Sequence, residues 1–205
     1  MAFIDTLKKI PLDFGQANLR TTTKGKLIAL SLVKDGKGKK ALDVGCREGH
    51  QSEWLKRRGY KVTSIDIEPH YKHGKKVDAN KPLPFKDDTF DLIWCSEVIE
   101  HLKVPEKTKQ EFERVLKRGG EAIITTPNSH FWIYPLLRLI GLKQKDVQNK
   151  SHIHFFSLKD VRGLFPHARI SGFFPYLFLK FRIHCCVGFL SPTFVIYAKK
   201  SFSKP

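Results

Sequence analysis

The chain has 205 residues, with 37 Lys and Arg against 20 Asp and Glu, giving a formal charge of +17. This length suits one domain able to bury a full core, and no repeat or low-complexity tract interrupts it. Cys46, Cys95, Cys185 and Cys186 lack zinc-type pairing, and the first twelve residues mix charges into their apolar set. A zinc scaffold and a secretory leader are therefore not expected, and a reduced, cytoplasmic protein is. The positive charge favours an anionic partner: RNA, a membrane surface or a phosphorylated substrate. It also fits a solvated lysine-rich surface, because the bases are spread along the chain rather than blocked.

Residues 1–38 read as capping helices, with Phe3, Ile4, Leu7 and Ile10 at helical spacing and a second short helix over Leu27 to Val33. In this region Arg20 to Lys26 reads as a surface loop. Asp35-Gly36-Lys37-Gly38 breaks to the first strand, Ala41 to Val44, and a loop framed by Gly45 and Gly49 leads into a helix over Gln51 to Arg58. Such a loop lets backbone N–H groups and a helix N-terminus approach a ligand closely. The order Asp43-x-Gly45-x-x-x-Gly49 lacks the middle glycine of a dinucleotide fingerprint, and its leading acid suits a cationic ammonium or sulfonium better than a pyrophosphate. A nicotinamide or nucleotide-sugar enzyme is disfavoured on that ground.

The second strand is expected over Lys61 to Asp66, placing Asp66 where a ribose-binding carboxylate belongs in a doubly wound sheet. His70 to His73 read as a solvated turn. A short third strand, Lys75 to Val77, precedes Asp78-Ala79-Asn80, and Phe90 to Cys95 has the unbroken apolar run of a central parallel strand, with Ser96 and Glu97 at its carboxyl end. Glu97, Glu100 and His101 stand at i, i+3 and i+4, so one helical turn puts all three on one face. Two carboxylates and an imidazole suit manganese, iron or magnesium rather than zinc, with a fourth ligand available from Ser151 to Phe156. An acid at a helix start is also favourable without a metal, and His101 serves equally as a pocket histidine or general base.

Pro105 to Lys117 is expected as a surface helix and Ala122 to Thr126 as the fifth strand. Phe131 to Leu142 is apolar but too short to span a bilayer. With Arg138, Lys143 and Lys145 beside it, it reads as a lid over an acceptor pocket, a helix packed on its own domain, or an interfacial helix making peripheral membrane contact. Ser157 starts a helix to Phe165, and two final strands are expected near Ala168 to Phe174 and Thr193 to Lys199. The apolar stretch Phe173 to Leu190 carries Lys180, Arg182 and His184, which argues against a transmembrane span.

Taken together, the Asp43 to Gly49 loop, Ser64 to Glu68, Asp87 to Ile93, Glu97 to Leu102 and Leu116 to Glu121 resemble, in order and spacing, a class I S-adenosylmethionine-dependent methyltransferase. The resemblance implies an α/β fold, a Rossmann-like doubly wound seven-stranded sheet with its last strand antiparallel and helices on both faces. It implies a single domain over 1–205: capping helices 1–38, cofactor core 39–127, lid or insertion 128–156, and C-terminal helix and strands 157–205. S-adenosylmethionine would be held by Asp43, Gly45, Cys46, Gly49, Asp66, Ile67 and Ser96, with Asp78 and Ala79 at its adenine. Chemistry would be in-line attack on the sulfonium methyl, with His101 and Glu97 as catalytic candidates. The Glu-x-x-Glu-His turn also resembles small-RNA 2′-O-methyltransferases and O-methyltransferases of ubiquinone biosynthesis. By that likeness Glu97, Glu100, His101 and His152, rather than His154, would ligate a divalent Mn or Mg. The expected acceptor is a small or lipid-like molecule, with RNA as the alternative and a non-catalytic binding module as a third reading.

Overall fold

The computed structural model describes residues 23–139, 141, 151–174 and 181–200. The first capping helix, Arg20 to Thr22, Lys143, Lys145 and Lys180 lie outside the described residues. The described elements run α1 (Lys24–Ser31), β1 (Lys40–Val44), α2 (His50–Arg57), β2 (Lys61–Asp66), β3 (Gly74–Lys76), β4 (Phe90–Ser96), a 3-10 turn (Ile99–His101) and α3 (Pro105–Val115). They continue through β5 (Leu116–Pro127), α4 (Ile133–Leu139), α5 (Leu158–Leu164), β6 (Arg169–Phe174), β7 (Phe181–Ile183), α6 (Val187–Leu190) and β8 (Thr193–Lys199).

One sheet holds all strands in the order β3-β2-β1-β4-β5-β8-β6-β7. Strands β1 to β5 pair in parallel, whereas β8 runs antiparallel between β5 and β6. The sheet thus has the expected winding and reversed strand, but carries eight strands among the described residues rather than seven. The addition is β7, which pairs antiparallel with β6 through Gly172 and Ile183 at the edge. Only three residues long, it gave no periodicity to recognise.

Alternate residues of the central strands divide between two cores. Leu42, Ile93 and Cys95 pack on one face with Phe112 of α3 and Val161 of α5. Ala41, Leu92 and Trp94 pack on the other with Ile28 of α1, Leu55 of α2 and Tyr134 of α4. Burial on both faces explains the continuous apolar runs, since neither side of these strands meets water. Helix α3 stops at Val115, two residues short of the expected Lys117, and β5 begins at once at Leu116 rather than at Ala122. The strand absorbs Gly119, at φ +76°, with a register shift against β4. Helix α5 opens on a capping box, Ser157 and Asp160 each bonding the other's backbone N–H. Among the described residues no helix is long and apolar enough to cross a membrane.

Candidate functional site

At the carboxyl ends of β1, β2 and β4 the chain turns outward, and the candidate residues collect there. After β1, Gly45 sits at φ +78°, where a Cβ would come 2.2 Å from Val98 Cγ2. Gly49, at φ +82°, lies against the Tyr71 ring, with 2.3 Å from a built Cβ to Cδ2. Both glycines are therefore required by conformation and by contact. Tyr71 is buried, with its hydroxyl bonded to Glu53 and Lys56, so the solvated-turn reading of His70 to His73 fails at this residue. The loop is pinned to β2 because the Gly45 and Cys46 N–H groups both donate to the Ile65 carbonyl, at 2.9 and 3.0 Å.

Asp66 holds its carboxylate open at the rim. One oxygen accepts the Arg47 N–H and the other the Glu68 N–H, each at 2.9 Å. Those bonds orient the group and leave lone pairs for a ligand hydroxyl. Asp78 accepts from both the backbone N–H and side-chain amide of Asn80, which hold its carboxyl below the usual range. The neighbouring Ala79 carbonyl accepts the Thr108 hydroxyl at 2.9 Å. Asp43 is different, being almost completely buried behind the loop. Its carboxylate accepts the Ser52 hydroxyl at 2.5 Å, and Ser52 also meets Ser64 at 2.7 Å. Burial pushes the Asp43 carboxyl up to about 6, against the Ser52 hydrogen bond that lowers it. Ile67 is exposed, whereas Cys46 is buried with its thiol pushed up to about 12 by burial.

After β4, the geometry departs from a single helical face. Glu97 adopts φ +58° and precedes the turn, and only Ile99–His101 are wound, as a 3-10 turn. Its side chain instead accepts from Thr125 of β5 at 2.9 Å, and Ser96 meets the same threonine at 2.8 Å. The residues that converge are Glu100, His101 and His152, whose ligand-capable atoms all lie within 4.8 Å of one another. Glu97 is outside that group. His152 enters it because the Ile153 and His154 N–H groups both donate to the Glu100 carbonyl, at 2.9 and 3.0 Å. This strap brings His152 Nε2 to 3.9 Å from Glu100 Oε1 and its ring edge-on to His101 at 4.7 Å.

Glu100 is 1% exposed; Oε2 accepts from Thr126 at 3.0 Å, while Oε1 is buried without a hydrogen-bond partner. Burial, reinforced by the Glu97 charge, raises its carboxyl well above the usual range. Burial and then the neighbouring His101 lower His152 to about 4, so it stands neutral at pH 7. His101 places Nδ1 2.9 Å from the Ser151 carbonyl oxygen. A carbonyl only accepts, so Nδ1 carries the proton and Nε2 is the basic nitrogen.

Lys26 is the residue sequence reasoning missed. It was read at the end of a surface loop, yet it lies on α1, 9% exposed, and feels the charges of Glu97, Glu100 and Asp43. Burial nonetheless lowers its ammonium. Lys26 shares the buried set of α1 with Gly25, Ile28 and Ala29, a burial set by the elements packed on the helix and not by spacing. Helix α4 covers Ile133–Leu139 and buries Tyr134 while Leu136 and Leu139 stay exposed, so it packs on its own domain by one side only.

A family model described as a methyltransferase domain matches residues 17–169. A ubiquinone biosynthesis O-methyltransferase of Azoarcus sp. is 33% identical over 118 residues, covering 51% of this chain and 50% of the relative. The chain thus spans about half the length of the curated relatives it matches. A crystal structure titled as a SAM-dependent methyltransferase from Archaeoglobus fulgidus superposes with TM-score 0.61 at 18% identity, covering 88% of this chain and 96% of its own. One from Thermotoga maritima, titled a possible histamine N-methyltransferase, reaches TM-score 0.60 at 19% identity over 98% and 97%. At these identities the two structures show the fold.

Proposed function

The chain belongs to the methyltransferase-domain family, and from that membership we propose that it is a cytoplasmic, single-domain enzyme transferring a methyl group from S-adenosylmethionine to an acceptor. The observation that carries this reading is the Gly45 to Gly49 loop with acids on three sides, Asp43 beneath it, Asp66 at its rim and Asp78 beyond. A surplus of acidic groups, with Lys26 the buried base among them, fits a ligand with ammonium and sulfonium charges, and the fixed Asp66 oxygens fit ribose hydroxyls. We assign Asp43, Gly45, Cys46 and Gly49 to its methionine end, Asp66 and Ile67 to the ribose, Asp78 and Ala79 to the adenine, and Ser96 to the pocket floor. Four free cysteines support the reducing compartment.

When bound, the cofactor supplies an electrophilic methyl group. The protein positions the acceptor in line with it and keeps water out, which accounts for most of the acceleration in such a transfer. His101 takes the acceptor's proton at Nε2, the nitrogen left basic by the Ser151 carbonyl. Glu97, tied to Thr125, contributes its charge beside this site. The acceptor is a small or lipid-like molecule carrying a hydroxyl, in keeping with the Azoarcus relative's name.

One observation favours a metal-assisted version of the same reaction. Glu100 Oε1 is buried without a partner, and a divalent cation on Glu100, His101 and His152 would satisfy it. In that version His101 orients rather than accepts, and RNA hydroxyls become candidate acceptors. The test is transfer of labelled methyl from S-adenosylmethionine to RNA, lipid and metabolite fractions, with and without chelator. Chelator-resistant label in metabolites or lipid that falls away in His101→Gln supports the base. Chelator-sensitive label supports the cation. Absence of both transfer and cofactor binding overturns the reading.

A further inference from the structure

The end of the sheet opposite the cofactor loop is a second charged surface, built by topology. Strands β1, β2, β4 and β5 begin there, and β8, being antiparallel, ends there. Register sets Lys40 beside Lys61 and Lys199 beside Glu121. The incoming loops join them, since Lys61 N–H donates to the Lys39 carbonyl and Gly38 N–H to the Gly59 carbonyl, both at 2.8 Å. Between these elements lies a polar cleft of about 200 Å3, lined by Lys34, Lys39, Tyr60, Asp91, Arg118 and Glu121.

The acids at this end are already engaged. Asp91 accepts the Lys40 N–H and the Lys117 ammonium, both at 2.9 Å. Glu121 accepts Lys34 at 2.7 Å and the Tyr197 hydroxyl at 2.6 Å. Asp35 pairs with Arg58 and Asp88 with Lys200. The exposed side chains of Lys37, Lys39, Lys40, Lys61, Arg118 and Lys199 have no carboxylate within ion-pairing reach among the described residues. The bases outnumber the acids along a row about 20 Å wide over the five adjacent strands β2, β1, β4, β5 and β8, with Asp91 of β4 and Glu121 of β5 set within it.

We propose that this row is a docking surface for the phosphodiester backbone of a nucleic acid, bound without sequence reading. A repeating anion at about 3.4 Å per nucleotide along a strand meets a row of that width with about six charges. An anionic membrane fits less well, because lasting attachment needs apolar insertion beside the bases. Exposed large hydrophobics such as Ile67, Ile153 and Phe189 lie at the other end, where Ile67 follows β2, the Ile153 N–H donates to the Glu100 carbonyl and the Phe189 carbonyl accepts from Trp132. The surface is independent of the acceptor reading, as β1 alone sets it about 17 Å from the cofactor loop.

The experiment titrates full-length protein into a short fluorescent RNA and a matched single-stranded DNA over a salt series, with phosphatidylserine vesicles as a parallel arm. Two triple variants are compared: Lys39→Gln, Lys40→Gln, Lys61→Gln at this end, and Lys72→Gln, Lys75→Gln, Lys107→Gln elsewhere, with thermal melts confirming both fold. The first variant is expected to weaken binding to RNA and DNA about tenfold and lower the log–log salt slope by about 2, at about 0.7 per contact, while the second changes neither. No binding to either oligonucleotide, equal weakening by both variants, or binding to vesicles alone overturns the proposal.

Discussion

The two ends of the sheet handle charge in opposite ways. At the carboxyl end Asp43 and Glu100 are each 1% exposed and held by hydroxyls, and Asp66 by backbone N–H groups. At the amino end the lysines stand in solvent; the Lys34 side chain is 70% exposed. Burial resists ionisation at Asp43 and Glu100, but a charge that does form in low dielectric acts strongly over a few ångströms on one ligand, whereas exposed charges act together over about a Debye length and fade with salt. The difference teaches that net charge says little about the site: a chain of +17 places a cluster of acids where its chemistry is expected.

The sharpest break of this comparison is Gly45→Val. At φ +78° a β-branched residue costs about 1–2 kcal/mol in backbone strain, and overlap with Val98 adds about 1–3 kcal/mol. Calorimetry should show S-adenosylmethionine affinity down about a hundredfold or more, with oligonucleotide binding at the other end unchanged. Loss of both would mean the ends are not separable. Next is Asp43. Its folded carboxyl is pushed up to about 6, above the ordinary aspartate value of 3.8, so burial favours the protonated form. The resulting stability is fully present below the unfolded value and is lost as pH rises through about 6, by about 3 kcal/mol. Urea unfolding of wild type should show that loss, relative to Asp43→Asn, between about pH 4 and 7. S-adenosylmethionine affinity should rise over the same interval as the carboxylate ionises.

Asp66→Asn follows, removing an ionised acceptor from two backbone N–H groups and from the ribose, at about 1.5–3 kcal/mol. A roughly tenfold or larger drop in cofactor affinity, beyond the lowered unfolding midpoint that loss of the two loop bonds brings, would place this carboxylate in binding as well as folding. Smallest is Lys34→Ala. An exposed ion pair such as Lys34 with Glu121 contributes about 0–1 kcal/mol, so thermal melting should barely move. A large shift would show that the amino end is rigid and structural after all.

What could be read in the sequence follows from which constraints are local. The Gly45 to Gly49 loop, β2 at Lys61–Asp66 and the Ser157 cap were legible, because glycines, apolar runs and a capping pair act within a few residues. The site behind them was less so. Glu97 leaves the face of Glu100 because Thr125, from a neighbouring strand, holds it, and no spacing encodes that contact. Lys26 is buried by the partners of α1 rather than by its own sequence, and Tyr71 by Gly49 above it. His152 was placed by likeness; the strap through Ile153 and His154 to the Glu100 carbonyl, which delivers it, involves backbone atoms that carry no residue signature.

Strand β8 is bonded to β5 over seven residue pairs, Glu121 with Lys199 through Pro127 with Thr193, and to β6 on its other edge. Both neighbours precede it in the chain, so until it arrives each presents an open row of amides and carbonyls in the middle of the molecule. A ribosome-bound or truncated chain lacking residues 193–199 would therefore hold a five-stranded sheet and a separate two-stranded hairpin with sticky inner edges, a pairing state prone to aggregate. Because these contacts are distant in sequence, closure by β8 should be the slow event in refolding.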